Sequence, residues 1–447
     1  ETNCVGVRLG ETSAFVPVMQ ISHANRQSLR KLLRLFEKQG RHVFGFLACL
    51  WVVHYLSGVR RVIVHFGRGR NPGSSKSARE SYLRLKKIVG GCPSLAATYW
   101  PTWYAHSAML QFVLLGLKEL RARFLQAAPY TREVLTLQDG ARIALDWVPA
   151  RQAQKDYPVC VLLHGMAQDS SSATMVDLAG SLAKRGMPTV VMNRRSYGGL
   201  DFGDDDTKIS IFGFDEDLDE VLCAVNRRHP GVPVAIIGFS CGATYAMRYV
   251  GARSGTSAWH SLSLRGGLPP ILCMVAYDSG YDVSSDGAHL RLRFPYNYVM
   301  LAAAKFNYGF RPGAARLQGN ANTKALLSPV DGFKATFRAI RHLSGIEESS
   351  AWLDKQQPRI EEIRVPSLLV NSRDDPINTW ENVEMYLKDV AANPNLALVE
   401  LQRGAHGCKY GFWGHSSVID SMVAEFVLSS WASFQASKND ATANTRC

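Results

Sequence analysis

Nine cysteines lie scattered along the chain, at Cys4, Cys49, Cys92, Cys160, Cys223, Cys241, Cys273, Cys408 and Cys447, and no two form a C-x-x-C pair. An odd, unpatterned set supports neither a disulfide framework nor a zinc site. Several sit in apolar runs, where a thiol behaves as a small hydrophobe, so a reducing or cytosol-facing setting fits better than secretion. The chain also lacks any internal repeat or recognised nucleic-acid module, which argues against nucleic acid as a partner. It lacks a long apolar run as well. The longest stretch, Val43 to Val59, has 17 residues and contains His54 and Ser57, against the roughly 20 needed to cross a bilayer core. Such a stretch has to stand upright to span a membrane. Otherwise it is a buried or interfacial helix, or the core of a signal peptide.

Charge is concentrated at one end. Of 51 Lys+Arg and 38 Asp+Glu, residues 1–130 hold 19 and 5, leaving 32 basic against 33 acidic residues downstream. A basic amino-terminal arm beside a near-neutral body favours an anionic surface, and the adjacent apolar stretch points to lipid headgroups. Residues 1–91 are thus expected to be a basic region with a candidate anchor at about 43–59 and a linker. Cations flank the stretch on both sides, so orientation is open. The first residue is Glu1, as expected of a processed or partial chain. The expected setting is a membrane, single-pass or peripheral, with the endoplasmic reticulum as one case, or the cytoplasm if the stretch is no anchor.

From residue 92 to 435 the pattern is that of one domain. Val134–Leu137 and Ile143–Trp147 flank a turn at Gln138-Asp139-Gly140, a hairpin signal. Apolar runs then alternate with helical stretches at Val159–Leu163, Thr189–Met192, Val232–Ile237, Ile271–Ala276, Ser367–Val370 and Leu396–Leu401. Near-continuous apolar strands separated by helices imply a mostly parallel sheet covered on both faces. Residues 279–365, aromatic-rich and without a convincing strand, read as a helical cap insertion. Residues 436–447 read as a disordered tail.

The motif that carries chemistry is Gly238-Phe239-Ser240-Cys241-Gly242, between an apolar strand and a helix-compatible stretch. A strand running straight into a helix strains its central residue and demands small neighbours, thrusting the serine hydroxyl outward. A serine needs an adjacent base, and the base a group that orients it. Asp374 and Asp375 follow the strand at 367–370. Asp375 is the preferred acid and Asp374 its alternative. His406, in Arg403-Gly404-Ala405-His406-Gly407, is the candidate base and His415 a rival. The order Ser, Asp, His at strand ends is that of a hydrolase triad. The backbone N–H groups of Cys241 and Met166, the latter after His164-Gly165, are the expected oxyanion donors. His164 and Asp169 also make an H-x-x-x-x-D spacing used by some acyltransferases. The acidic cluster Asp201, Asp204, Asp205 and Asp206 reads as a solvated loop, and no metal or cofactor is expected.

Together with Cys92-Pro93, Tyr99 to Trp103, Leu145 to Trp147, Asn193 to Gly199 and Asn371 to Pro376, these motifs make residues 92 to about 430 resemble α/β-hydrolase-domain proteins. The likeness is to their membrane-anchored lipase and esterase branch, which includes YheT-like hydrolases. The resemblance implies an α/β-hydrolase fold and hydrolysis of carboxylic or phospholipid esters through Ser240, Asp375 and His406. It also implies an amino-terminal membrane anchor. Gly404-Ala405 stands where that family has two glycines, and Cys241 where it has methionine. The alternatives are a small-ester carboxylesterase or peptidase with the same triad, or a non-catalytic membrane-bound scaffold. Substrate headgroup and oligomeric state are open.

Overall fold

The computed structural model describes residues 23–69, 76–125, 130–149, 157–200, 211–254, 267–283, 295–296, 298–299, 302 and 356–444. The chain divides into two compact units, residues 1–57 and 58–447. The first holds most of helix α1, His23–Gly58. Among the described residues no helix is long and apolar enough to cross a membrane, so the single-pass anchor expected at 43–59 is not supported. The reason is the length of the apolar run: its 16 helical residues, 43–58, rise roughly 24 Å, against a hydrocarbon core of about 30 Å, and Arg41 and His42 precede them at once.

In the second unit, strands β1 (Arg60–Arg61) and β2 (Ile63–Phe66) are followed by helices α2 (Lys76–Gly90) and α3 (Pro93–Ala96) and by β3 (Thr98–Tyr99). Helix α4 (Ala108–Leu125), the hairpin β4 (Thr131–Thr136) and β5 (Arg142–Val148), β6 (Val159–Leu163), α5 (Ala173–Lys184) and β7 (Thr189–Asn193) come next. Then α6 (Asp215–Arg228), β8 (Val234–Phe239), α7 (Cys241–Arg253), β9 (Ile271–Tyr277), β10 (Ser367–Ser372), α8 (Trp380–Glu384), α9 (Leu387–Ala392), β11 (Leu396–Leu401) and α10 (Val418–Asn444) complete the described order.

Nine strands form one sheet in the order β2-β11-β10-β9-β8-β6-β7-β5-β4. The central strands pair in parallel, while β5 pairs antiparallel with β7 and β4 with β5. Alternation of side chains sends Val159, Val161 and Leu163 of β6 to one face, with Leu218, Val221 and Leu222 of α6 and Tyr245 and Tyr249 of α7. Cys160 and Leu162 point to the other, with Leu85 and Ile88 of α2, Leu178 and Leu182 of α5 and Phe426 and Val427 of α10. Both faces are therefore dry, which is why the strand sequences read as unbroken apolar runs.

Two boundaries differ from expectation. Strand β2 lies within residues 1–91 yet pairs antiparallel with β11, Ile63 opposite Glu400 and Phe66 opposite Ala397. Four alternating residues between a helix and a Gly/Arg-rich stretch carry little periodic signal, and the free edge of β11 recruits them. Helix α10 runs on through Asn444, past the expected start of the tail at 436. No Gly or Pro interrupts Ala436–Asn444 to stop it. Most of residues 284–355 of the expected cap, and the acidic cluster at 201–206, lie outside the described residues.

Candidate active site

Strand β8 runs straight into α7, and Ser240 sits between them at φ 53°, ψ −120°. This left-handed backbone is costly for a residue with a Cβ, and close packing enforces it. A Cβ on Gly238 would lie 2.2 Å from the carbonyl oxygen of Gly242, and one on Gly242 would lie 2.2 Å from that of Leu163. The Ser240 N–H donates to the carbonyl of Tyr277 (3.0 Å), and the Ser240 carbonyl accepts from Thr244 (3.1 Å), so strand and helix both pin the turn.

The imidazole of His406 reaches back to this serine. Its Nε2 is 2.9 Å from Ser240 Oγ and its Nδ1 is 2.9 Å from Asp375 Oδ2. Asp375 Oδ1 accepts the N–H groups of Ile377 (2.8 Å) and Asn378 (3.0 Å), which fixes the carboxylate plane and leaves Oδ2 for the imidazole. All three residues are buried. The geometry requires the Nδ1–H tautomer of His406, with Nε2 accepting from the serine hydroxyl. Asp374 turns the other way. Its Oδ1 accepts the N–H of Ala405 (2.9 Å), bracing the histidine loop, and Oδ2 has no hydrogen-bond partner. His415 is exposed, and its carbonyl accepts from Lys118 Nζ.

Phe239 supports the imidazole from below, its ring centroid 5.2 Å from that of His406. Ala405 stands at φ 40°, a backbone that favours glycine and costs an alanine on the order of 1 kcal/mol. Burial pushes the imidazole's pKa down, but the charges of Asp375 and then Asp278 outweigh it, and His406 ends above its usual 6.5. Burial pushes Asp374 up to about 6, against the Ala405 N–H and the charges of Arg403 and Lys409.

Sequence reasoning missed two groups behind the loop. Asp278, at φ 54° just past β9, accepts the Gly407 N–H through Oδ2 (2.7 Å) and pairs through Oδ1 with the ammonium of Lys409. Lys409 Nζ also donates to the carbonyl of Ala405 (3.1 Å), and both side chains are wholly buried. Asp278, Asp375 and His406 bring ligand-type atoms within 4.8 Å of one another, but the Lys409 ammonium already meets Asp278 there. The available signal was an Asp directly past a buried strand and a Lys three residues after the histidine. Neither stands out in a sequence.

On the opposite side of Ser240, the turn after β6 carries buried His164 and Met166. The guanidinium of Arg194 donates to the carbonyls of His164 (2.8 Å) and Gly165 (2.9 Å) and stacks 5.1 Å from the Tyr197 ring. Arg195 instead pairs with Asp217 and Asp139. His164 is held in this network, and Asp169 accepts from Ser171 in its own turn, so the H-x-x-x-x-D spacing is structural. The two expected oxyanion donors lie on this side, Met166 in the turn after β6 and Cys241 at the first position of α7. Burial raises the Cys241 thiol to about 11, while the Arg194 charge and the N–H groups of Met166 and of Cys241 itself favour its anion. The Met166 and Cys241 N–H groups thus both approach the Cys241 sulfur, next in the chain to Ser240.

A doubly wound sheet with a serine on a strained strand-to-helix turn, and an Asp and a His on later strand ends, defines an α/β-hydrolase fold. The chain belongs to the alpha/beta hydrolase family, whose pattern matches residues 160–426. It is similar to Protein abhd-3.2 of Caenorhabditis elegans, 26% identical over 198 residues covering 43% of this chain and 50% of that protein. It is also similar to Protein ABHD15 of Homo sapiens, 23% identical over 313 residues covering 66% of this chain and 62% of that protein. The chain thus spans half to three fifths of the length of these relatives. Among solved structures, the esterase Pf2001 of Pyrococcus furiosus is 17% identical with a TM-score of 0.41, over 67% of this chain and 91% of that one. Est1E from Butyrivibrio proteoclasticus is 14% identical with a TM-score of 0.42, over 67% and 99%.

Proposed function

We propose that this α/β hydrolase cleaves carboxylic esters, with acylglycerols or phospholipids as its substrate class, and works at a membrane surface as the membrane-associated lipase and esterase branch does. The observation that carries the chemistry is the unbroken chain from Ser240 Oγ through the His406 imidazole to Asp375 Oδ2, its two hydrogen bonds each 2.9 Å. Ser240 Oγ attacks the ester carbonyl while His406 takes its proton, and the resulting imidazolium is stabilised by the Asp375 carboxylate. The tetrahedral oxyanion lies against the N–H groups of Met166 and Cys241. Collapse expels the alcohol, which takes the proton from His406 and leaves an acyl-Ser240. Water, deprotonated by His406, then attacks the acyl carbon and releases the acid. Each step moves one proton through one imidazole.

The preference for lipid rests on the basic amino-terminal arm and on the large apolar side chains exposed beside the histidine loop, among them Trp103, Phe412 and Trp413. A fluorophosphonate probe is expected to label the wild type and not Ser240→Ala. Labelling that survives the substitution would rule out Ser240 as nucleophile. Turnover of short soluble esters but not of long-chain acylglycerols or phospholipids would keep the chemistry and remove the lipid preference.

A further inference from the structure

Helix α4 has two apolar faces. Ala108, Phe112 and Leu115 pack against Ala405, Cys408 and Tyr410, the loop that carries His406. Gln111 and Ala122 are buried on the same side. On the opposite side Met109, Val113, Leu117, Leu120 and Phe124 stand at helical spacing and are 44–76% exposed. A soluble helix buries one stripe and wets the other. Here a run of large aliphatic and aromatic side chains lies open to solvent, directly behind the catalytic base.

The stripe continues into an aromatic margin. Trp100, Trp103 and Tyr104 lead into α4 and are exposed, as are Phe412 and Trp413. The two segments are tied together: the Trp103 N–H donates to the carbonyl of Phe412 (3.3 Å) and the Tyr104 hydroxyl to that of Trp413 (3.3 Å). Indole and phenol rings at the edge of an apolar face suit the boundary between headgroups and acyl chains.

Charge identifies the occupant. Residues 97–118 and 410–417 contain no carboxylate. The one acid of α4, Glu119, is turned inward, accepting from Ala173 N (3.1 Å) and Gln168 (3.3 Å). Arg121 is exposed beside the stripe. A large apolar face with a cationic flank and no outward anion fits an interfacial helix on anionic lipid.

We infer that the outer face of α4, with the Trp100–Tyr104 and Phe412–Trp413 margin, docks on an anionic phospholipid bilayer and so presents the Ser240–His406 site to lipid. This deepens the reading of a lipid ester hydrolase and rests on it for its purpose, though not for its geometry. Because the inner face of α4 touches the His406 loop, docking brings the catalytic cleft to the membrane without a spanning helix.

The test is flotation of the full chain with vesicles of phosphatidylcholine and phosphatidylserine, beside turnover of a soluble short-chain ester. Val113→Asp with Leu117→Asp is expected to cut the vesicle-bound fraction at least about tenfold while soluble turnover stays within about twofold, since both side chains are already exposed. Trp103→Ala with Trp413→Ala, in a separate protein, is expected to weaken flotation by a smaller factor. Unchanged flotation in both proteins overturns the inference and moves membrane binding to α1. A wild-type dimer that becomes monomeric in the Asp variant, with no flotation in either, would make this face a contact between copies and also overturn it. Wild type that floats but hydrolyses no ester would defeat the hydrolase reading alone.

Discussion

The two loops flanking Ser240 are each clamped by a buried cation, and they differ in how its charge is balanced. On the oxyanion side Arg194 grips the carbonyls of His164 and Gly165, and among the described residues it makes no ion pair. On the histidine side Lys409 grips the carbonyl of Ala405, and its charge is met by Asp278 at once. One wall therefore keeps a positive charge on the side where the proposed mechanism forms an oxyanion. The other keeps Asp375 on Nδ1 and Asp374 on the histidine loop, against an imidazole that becomes cationic in the proposed mechanism. Two similar clamps thus give opposite local fields, each matched to the charge that the proposed mechanism develops beside it.

The largest break in this comparison is expected from the acid. Asp375→Asn should lower kcat by roughly 10⁴, because the amide favours the wrong imidazole tautomer. Asp374→Asn should stay within about tenfold, since Asp374 touches only the Ala405 N–H. Equal losses in a steady-state assay would mean that the two carboxylates share the imidazole.

Arg194→Met tests the oxyanion wall. The loop after β6 loses its clamp and its positive charge, so kcat should fall by about 10², near the loss of one oxyanion donor, with KM little changed. Arg194→Lys restores the charge but not the forked grip on two carbonyls, and should recover part of the loss. A rise in KM with constant kcat would instead assign Arg194 to substrate binding.

Much of this was legible from sequence, for reasons that mark its limits. Strand β8, the elbow and the three triad residues are local signals: a run of apolar residues, a turn that tolerates only glycine at 238 and 242, and polar groups directly after strands. Asp375 and Asp374 could not be separated, because which carboxylate faces the imidazole is set by the turn at Ile377 and Asn378. The clamps were hidden for a further reason. Arg194 lies in a motif noted as a landmark, but its function depends on reaching carbonyls 29 and 30 residues earlier. Asp278 and Lys409 are 131 residues apart. Strand β2 was missed because an edge strand is chosen by its neighbour, not by its own four residues.

Lys409→Met probes the histidine wall and should act through pH. It leaves Asp278 buried and unpaired, a change that costs roughly 3–5 kcal/mol of stability. His406 is faced by Asp375, Asp278, Asp374 and Lys409. Removing the cation raises the imidazole's pKa further, so the acid limb of the kcat/KM profile should move to higher pH. Activity at pH 6 should then fall about tenfold relative to pH 8, and Asp278→Asn in the same protein should move the limb back. An unmoved limb would show that the pair is only structural.

Asp374→Asn tests stability on the same wall. Burial raises the folded Asp374 pKa from its usual 3.8 to about 6. The folded state thus holds this proton more tightly than the unfolded chain, and its stabilising contribution is complete below the unfolded value and lost as pH rises through about 6. Asparagine can still accept from Ala405 and never ionises. The wild type should therefore lose up to about 3 kcal/mol between pH 4 and pH 7 that the variant keeps. Parallel denaturation curves for the two proteins would mean that Asp374 stays ionised throughout.

The smallest effect is expected at Cys241, and it separates backbone from side chain on the oxyanion wall. The thiol sits against the Met166 N–H and its own, the two donors proposed for the oxyanion. If the backbone donors carry the stabilisation, Cys241→Ala keeps them both, and kcat should stay within about threefold of wild type. A loss near 10² would mean that the thiol itself donates to the oxyanion. The two walls would then differ in their chemistry as well as in their charge.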